Sequence, residues 1–193
     1  MTKERIFIGV IGQIASGKRV LTDFFIKNYG FQPFSLSSII HQELKKKHVS
    51  RFTRKTLQDL GDELRKKYGD DILARKAIEM VKKNYGRKII IEGIRNPAEI
   101  KYFKTLPHFI LIGIKAKRKT RFDRVLQRKK SWDPKTWEEF LAVDKRDWGV
   151  GQGKSGQQVG RCMKMADYVL TNNGTVEEFE EKVKRTITNF QLI

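Results

Sequence analysis

The stretch Ile6-Phe7-Ile8-Gly9-Val10-Ile11-Gly12-Gln13-Ile14-Ala15-Ser16-Gly17-Lys18 passes from an apolar strand into a loop of the form GxxxxGK, and Val20, Leu21, Phe24 and Phe25 then recur at helical spacing. A strand, a glycine-flanked turn and a helix in that order turn backbone N–H groups inward, where they meet phosphate oxygens. The helix adds its positive N-terminal end, and Lys18 reaches the β and γ phosphates. Gly12, Gln13, Ile14, Ala15, Ser16, Gly17, Lys18 and Arg19 are therefore the expected nucleotide-binding residues. Position 19 departs from the pattern. The Ser or Thr that ordinarily ligates Mg²⁺ is Arg19 here, and Thr22, the next hydroxyl, lies a full turn further along the helix. Either phosphates and water hold the ion, or Arg19 itself neutralises phosphate charge in a protein that has lost rate or catalysis.

Outward from this loop, apolar runs recur at Lys88 to Glu92, Phe109 to Ile114 and Tyr168 to Thr171, with a weaker one at Phe31 to Leu36. Each is followed by a helix-like segment, the alternation expected of a parallel sheet covered on both faces. Thr175 and Glu178 fit a capping box, and Val176, Phe179, Val183, Ile187 and Phe190 form one apolar stripe behind it. Asn96-Pro97 and Asp133-Pro134 each read as a helix start, a capping side chain before a proline suited to the first turn. Leu57, Leu60 and Leu64, then Ile72, Leu73, Ala77 and Met80, predict two helices broken at Tyr68-Gly69. From Trp148 to Gly160, five glycines and no period predict a mobile loop. No repeat or linker divides the 193 residues, so a single domain is expected.

Composition narrows the classes of function. A hydrophobic fraction of 39% excludes a disordered chain, and the one cysteine, Cys162, excludes a disulfide framework or a multi-cysteine metal site. The run Ile6 to Ile11 is too short to span a membrane, while Glu4 and the lack of a small-residue cleavage site argue against a signal peptide, so a cytoplasmic protein without a membrane partner is expected. With 41 Lys and Arg against 22 Asp and Glu, the formal net charge is +19. Such an excess attracts phosphates on nucleic acid, lipid and nucleotide alike. Its distribution is uneven: nine basic residues between Lys115 and Lys130 share their stretch with Asp123 alone.

A second motif ends the run Lys88-Ile89-Ile90-Ile91-Glu92-Gly93-Ile94-Arg95-Asn96. A carboxylate at the carboxyl end of a central parallel strand sits beside the phosphate loop, so Glu92 is a candidate to hold Mg²⁺ through water, and a surface acid is the equal alternative. Arg95 is placed to form a two-pronged pair with a phosphate. Trp132, Trp137 and Trp148 either stack on a base or pack a small helical lid, the second use being favoured. His48 and His108 read as structural or surface residues, and Cys162 as a core thiol.

Together these residues resemble the nucleoside monophosphate kinases of the P-loop class, whose second motif reads DGxPR and stands here as Glu92-Gly93-Ile94-Arg95. Asp123-Arg124-Val125-Leu126-Gln127-Arg128 is similar to the arginine pair at the base of the adenylate kinase lid, and Arg146-Asp147 to the arginine at its far end. Ser35 to Ile40, Leu57 to Gly69, Glu92 to Pro97 and Gly156 to Gly160 resemble the kinase-like module that precedes the deaminase in some bacterial deoxycytidylate deaminases, and archaeal dephospho-CoA-kinase-like proteins.

The resemblance implies a three-layer α/β P-loop NTPase fold over 1–193, with five parallel strands ordered 2-3-1-4-5 and a basic lid-like insertion at about 117–160. It also implies ATP, Mg²⁺ and transfer of a phosphoryl group to a nucleoside or deoxynucleoside monophosphate or a related small nucleotide. Lys18, Arg95, Arg124, Arg128 and Arg146 would act in catalysis, Asn173 would join the nucleotide site, and Ser37, His41, Arg65 and Arg95 would hold the acceptor. The acceptor helix departs from the kinase pattern GDxLR, because Ser37-Ser38-Ile39-Ile40-His41 lacks its arginine; Arg65 either replaces it or is an exposed helix residue. His41-Gln42-Glu43 is not a deaminase signature, since the zinc would need two cysteines. The alternatives are a nucleotide sensor with little turnover, favoured by Arg19 and His41, and a nucleic-acid-associated kinase, favoured only by charge. Oligomeric state stays open.

Overall fold

The computed structural model describes residues 4–188. Its sheet has five parallel strands, β1 (Ile6–Gly12), β2 (Gln32–Ser35), β3 (Lys88–Glu92), β4 (Phe109–Lys115) and β5 (Tyr168–Thr171), in the order β2-β3-β1-β4-β5. The central strand pairs Ile8 with Ile90 on one side and Ile110 on the other. Side chains alternate across the sheet. Phe7, Ile11, Ile89, Ile91 and Leu111 face one core, and Ile8, Val10, Ile90, Ile112 and Ile114 face the other.

The first core is covered by α2 (Leu36–Lys46), α3 (Arg54–Tyr68), α4 (Ile72–Asn84), α5 (Pro97–Phe103) and α8 (Val159–Met163), and the second by α1 (Lys18–Tyr29) and α9 (Val176–Ile187). A third, smaller core joins α6 (Arg118–Arg128) to α7 (Trp137–Trp148) through Val125 and Phe140. Ile14 of the phosphate loop is part of it, so the basic helices and the loop share buried apolar surface. Trp137 belongs to this cluster, stacked on Phe140 and edge-on to Phe122. No helix among the described residues is long and apolar enough to cross a membrane.

Local signals fix most helix ends. Gly69 closes α3 before α4 begins, and Asn96 and Thr175 cap α5 and α9 in reciprocal boxes with Glu99 and Glu178. Phe190 of the expected stripe lies outside the described residues. Two expectations are corrected. Asp133-Pro134 does not open a helix, because the Asp133 carboxylate is taken by Arg128; α7 starts instead at the Thr136 capping box, whose partner is Glu139. The glycine-rich segment after Trp148 is fixed in place. Asn96 Nδ2 donates to the carbonyls of Lys154 and Gly156 at 2.8 and 3.0 Å, and Gln158 Nε2 donates to those of Gly153 and Lys154 at 2.8 and 2.9 Å. Buried side-chain amides thus supply the partners that an aperiodic backbone cannot find in itself.

A buried ion pair fastens α3 to α5. Arg65 is neither an exposed helix residue nor part of a binding cavity: its side chain is 1% exposed, and its Nε donates to Glu99 Oε1 at 2.9 Å. The other Glu99 oxygen accepts the backbone N–H groups of Arg95 and Asn96 at 2.7 and 3.0 Å. Removing one partner of such a pair strands a buried charge, which costs about 3–5 kcal/mol. Glu99→Ala should therefore lower the unfolding free energy by about that amount in urea titrations, and a loss below about 1 kcal/mol would show that the pair is not what joins these helices.

Candidate active site

The site is assembled where parallel strands end. After β1 the chain enters the loop with φ values of 152° at Gly12, 56° at Ala15 and 102° at Gly17, a left-handed run that non-glycine residues seldom adopt. Space is as limiting as conformation: a Cβ at Gly12 would stand 2.4 Å from the Ile114 carbonyl oxygen, and one at Gly17 would stand 1.9 Å from Asn172 Nδ2. Lys18 Nζ folds back and donates to the carbonyls of Gly12 and Gln13, both at 2.8 Å. Burial, with the Arg95 charge behind it, lowers the Lys18 ammonium to about pKa 7.

The loop forms one wall of a cavity of about 580 Å³. Glu92, Gly93 and Arg95, from the end of β3 and the turn after it, form the floor, Ser35 and Ser37 lie beside them, and Arg124, Arg128, Lys130 and Trp132 come from the basic helix and the loop after it. Lys18, Arg95, Arg124, Arg128 and Ser37 thus line one cavity. Arg124 is held by the carbonyl and side-chain oxygens of Asn172 at 3.1 and 3.2 Å, and Arg128 by Asp133.

Several expected residues lie elsewhere. Arg146 does not line the cavity; it pairs with Asp59 at 2.7 Å and Asp62 at 2.9 Å on α3. His41 also stays out, packed edge-on against Phe52 at 5.1 Å and tilted against Trp132 at 6.0 Å; partial burial and the charges of Lys130 and Arg54 hold its pKa below the usual imidazole value. Asn173 is exposed, and among the described residues its side chain accepts the Lys117 N–H, at 2.8 Å. Its neighbour Asn172 is the one that reaches the phosphate loop, donating from Nδ2 to the Ser16 carbonyl at 3.1 Å.

The helix start that follows the loop, where the pattern would carry a hydroxyl, is equally specific. Arg19 points outward, with its side chain 86% exposed and paired to Asp23 at 3.1 Å. Thr22, one turn deeper, donates its hydroxyl to Glu92 Oε1. Among the described residues no three His, Cys, Asp or Glu side chains gather as a metal cluster. The donors next to Lys18 are thus a hydroxyl and a carboxylate, hard oxygen groups that suit Mg²⁺ through its water shell.

Other contributors were not legible in the sequence. Arg54, the first residue of α3, lines the cavity and stands 3.6 Å from Asp147, whose carboxylate is fully buried. Asp147 also accepts from Arg95 Nη1 at 2.9 Å and Gln58 Nε2 at 2.6 Å. Burial opposes its charge, yet Arg95 and Arg54 hold it ionised, below the usual carboxylate range. On the outer side of the loop, Asp144 accepts Gln13 Nε2 at 2.9 Å and both terminal nitrogens of buried Arg121 at 2.5 and 2.9 Å. Both aspartates come from α7, so that helix braces the loop and the cavity together.

No family model matches the chain. Among solved structures, the Thermus thermophilus protein TT1252 superposes with a TM-score of 0.63 at 21% identity, covering 98% of this chain and all (100%) of that one. The shikimate kinase of Acinetobacter baumannii, solved with shikimate, gives 0.59 at 13% identity over 98% of this chain and 96% of its own. At those identities the likeness shows the fold alone, a three-layer α/β fold of P-loop NTPase-like architecture. A UPF0200 protein of Pyrococcus horikoshii is 32% identical over 188 residues, spanning 95% of this chain and 96% of the relative. A second, from Thermococcus sibiricus, is 32% identical over 185 residues and 93% of each chain. With 32% identity over nearly the full length of both chains, the chain belongs to the UPF0200 family.

Proposed function

We propose that the protein transfers the γ-phosphoryl group of ATP to a small anionic acceptor, with a nucleoside monophosphate as the preferred one. The observation that carries this reading is the convergence of Lys18, Arg54, Arg95, Arg124 and Arg128 on one cavity beside the phosphate loop, with Glu92 as the carboxylate among its lining side chains. Phosphoryl transfer asks the protein for alignment and for positive charge around the moving group, and for little covalent chemistry. The P-loop kinase fold supports the same reaction class.

In this mechanism the donor's phosphates enter the loop and take Lys18 away from the Gly12 and Gln13 carbonyls. An oxygen of the acceptor phosphate attacks the γ phosphorus while the bond to the β–γ bridging oxygen breaks, and ADP leaves with the electron pair. A dianionic acceptor oxygen carries no proton, so the step needs no base. Arg124 and Arg128, four residues apart on one face of α6, would neutralise charge between donor and acceptor. Mg²⁺ supplies charge neutralisation at the phosphates when bound, and Glu92, oriented by Thr22, is the side chain to hold its water shell.

A second reading, a nucleotide sensor with little turnover, is favoured by Arg19 at the position of the usual metal-ligating hydroxyl. Incubation with ATP, Mg²⁺ and a panel of ribo- and deoxynucleoside monophosphates, dephospho-CoA and shikimate separates the two: a phosphorylated product supports transfer, and ATP binding without product supports the sensor.

Lys18→Ala should abolish product formation with little change in the unfolding midpoint; equal turnover would remove the loop from the mechanism. Arg128→Ala should lower kcat by roughly 10²- to 10⁴-fold, and Arg128→Lys should recover only part, because an ammonium lacks the planar fit to phosphate. Binding should also move a proton. With its pKa at about 7, Lys18 is mostly neutral at pH 8 in the free protein, and the incoming phosphates raise that pKa. ADP binding at pH 8 should therefore take up close to one proton, read from calorimetric enthalpies in buffers of different ionisation enthalpy, and Lys18→Met should abolish the uptake.

A further inference from the structure

Lys18, Arg54 and Arg95 line the cavity together, and the charges of Arg95 and Arg54 both weigh on the Lys18 ammonium. A single carboxylate, Asp147, braces both arginines: Arg95 at 2.9 Å by a hydrogen bond, Arg54 at 3.6 Å by charge alone. Its remaining oxygen is taken by Gln58. Asp147 is the carboxylate in contact with both guanidinium groups, and Arg54 also feels Asp133 from further off against the like charges of Arg95 and Arg128. Arg54 also retains donors to give, since its Nε is buried with no hydrogen-bond partner among the described residues and its ion pair lies beyond hydrogen-bond reach. Its side chain is only 19% exposed, so this is not a solvated surface cation.

The geometry points to Arg54, together with Arg95, as the seat for the phosphomonoester of the acceptor, making Arg54 the residue that selects an acceptor already carrying a phosphate. This inference rests on the transfer reading above. Two buried guanidinium groups that share one carboxylate repel each other, and burial and the Arg95 charge weigh against the Arg54 cation. An oxyanion between them relieves both costs and accepts their free N–H groups. A carboxylate could fill the same seat, but the attacked group would then be a hydroxyl that must lose a proton. Glu92, the acid that lines the cavity among the described residues, is engaged by Thr22. A phosphate oxygen needs no such help, which favours the phosphomonoester. Trp132 also lines the cavity, but its ring is already engaged by Phe52 at 5.7 Å, His41 at 6.0 Å and the Lys130 ammonium at 5.6 Å.

The test is calorimetric titration of 5′-AMP and 5′-dCMP, with adenosine and shikimate in parallel, into protein saturated with ADP so that the phosphate loop is filled. At least one monophosphate should bind, and Arg54→Gln should weaken it by about tenfold or more, as expected for loss of a hydrogen bond to a charged group. Arg54→Lys should recover part of that loss. ADP affinity, measured alone, should fall by clearly less than the monophosphate affinity does, because Arg54 acts on Lys18 only through its charge while it would contact the monophosphate directly. Equal monophosphate affinity in wild type and Arg54→Gln overturns the assignment, as does a matching loss of ADP affinity or a failure of both monophosphates to bind. Arg54-dependent binding of shikimate instead of the monophosphates overturns the phosphomonoester and leaves a carboxylate seat. Arg54-dependent monophosphate binding with no transferred phosphoryl group keeps the seat and overturns the transfer reading.

Discussion

Five strands running in parallel end on one edge of the sheet, and the rest of the molecule depends on that constraint. Gly12, Ser35, Glu92, Lys115 and Thr171 close their strands there. Each strand delivers its next residues to the same place: the phosphate loop after β1, Ser37 after β2, Arg95 after β3, the basic helix after β4 and Asn172 after β5. Groups as far apart in the chain as Ser16 and Asn172 thus meet at the phosphate loop, and the cavity beside it lies where open α/β sheets ordinarily receive their ligands. Isoleucine pairing in the middle of the sheet, Ile8 between Ile90 and Ile110, holds the edge in register.

Concentrating cations at that edge has an electrostatic cost, and the chain meets it with buried carboxylates. Asp144 takes Arg121 and Gln13, Asp147 takes Arg95 and Arg54, and Glu99 takes Arg65. These are different in kind from the exposed helical pairs such as Arg19–Asp23 and Lys55–Asp59, which solvent screens and which contribute little. A buried acid fixes the direction of its guanidinium as well as neutralising it. Most of the net charge of +19 resides on exposed side chains, whereas the arrangement of the cavity rests on a few acids hidden from water.

The α6–α7 pair is tied to the phosphate loop by two kinds of force. Ile14 packs with Val125 and Phe140, and directly beside them Asp144 holds Gln13. The helices that bear Arg124 and Arg128 are in this way continuous with the loop that would hold the donor. Across the loop, the exchange of a hydroxyl for Arg19 is accompanied by Thr22 on Glu92, so the oxygen donors lie one turn deeper than the usual motif places them.

Features whose physics is complete within a few residues were legible in the sequence. Strand alternation, the glycines of the phosphate loop, the break at Gly69, the helix start at Asn96-Pro97 and the capping box of Thr175 each involve neighbours within one or two turns. The strand order and the basic lid were implied by resemblance. Side-chain destinations were not local. Arg65 finds Glu99 34 residues away, Gln58 finds Asp147 89 residues away, and Arg146 finds Asp62 84 residues away, distances closed only by the crossovers of the sheet. Adjacent residues part company for the same reason: Arg146 turns to α3 while Asp147 supports the cavity, and Asn173 meets solvent while Asn172 meets the loop. The strands, the caps and the phosphate loop could be read from the chain alone, because hydrogen bonding and periodicity are short-ranged along it. Which arginines face the cavity and which are held by buried acids was settled by packing, because a long charged side chain goes to whichever desolvated partner the assembled helices put within its reach.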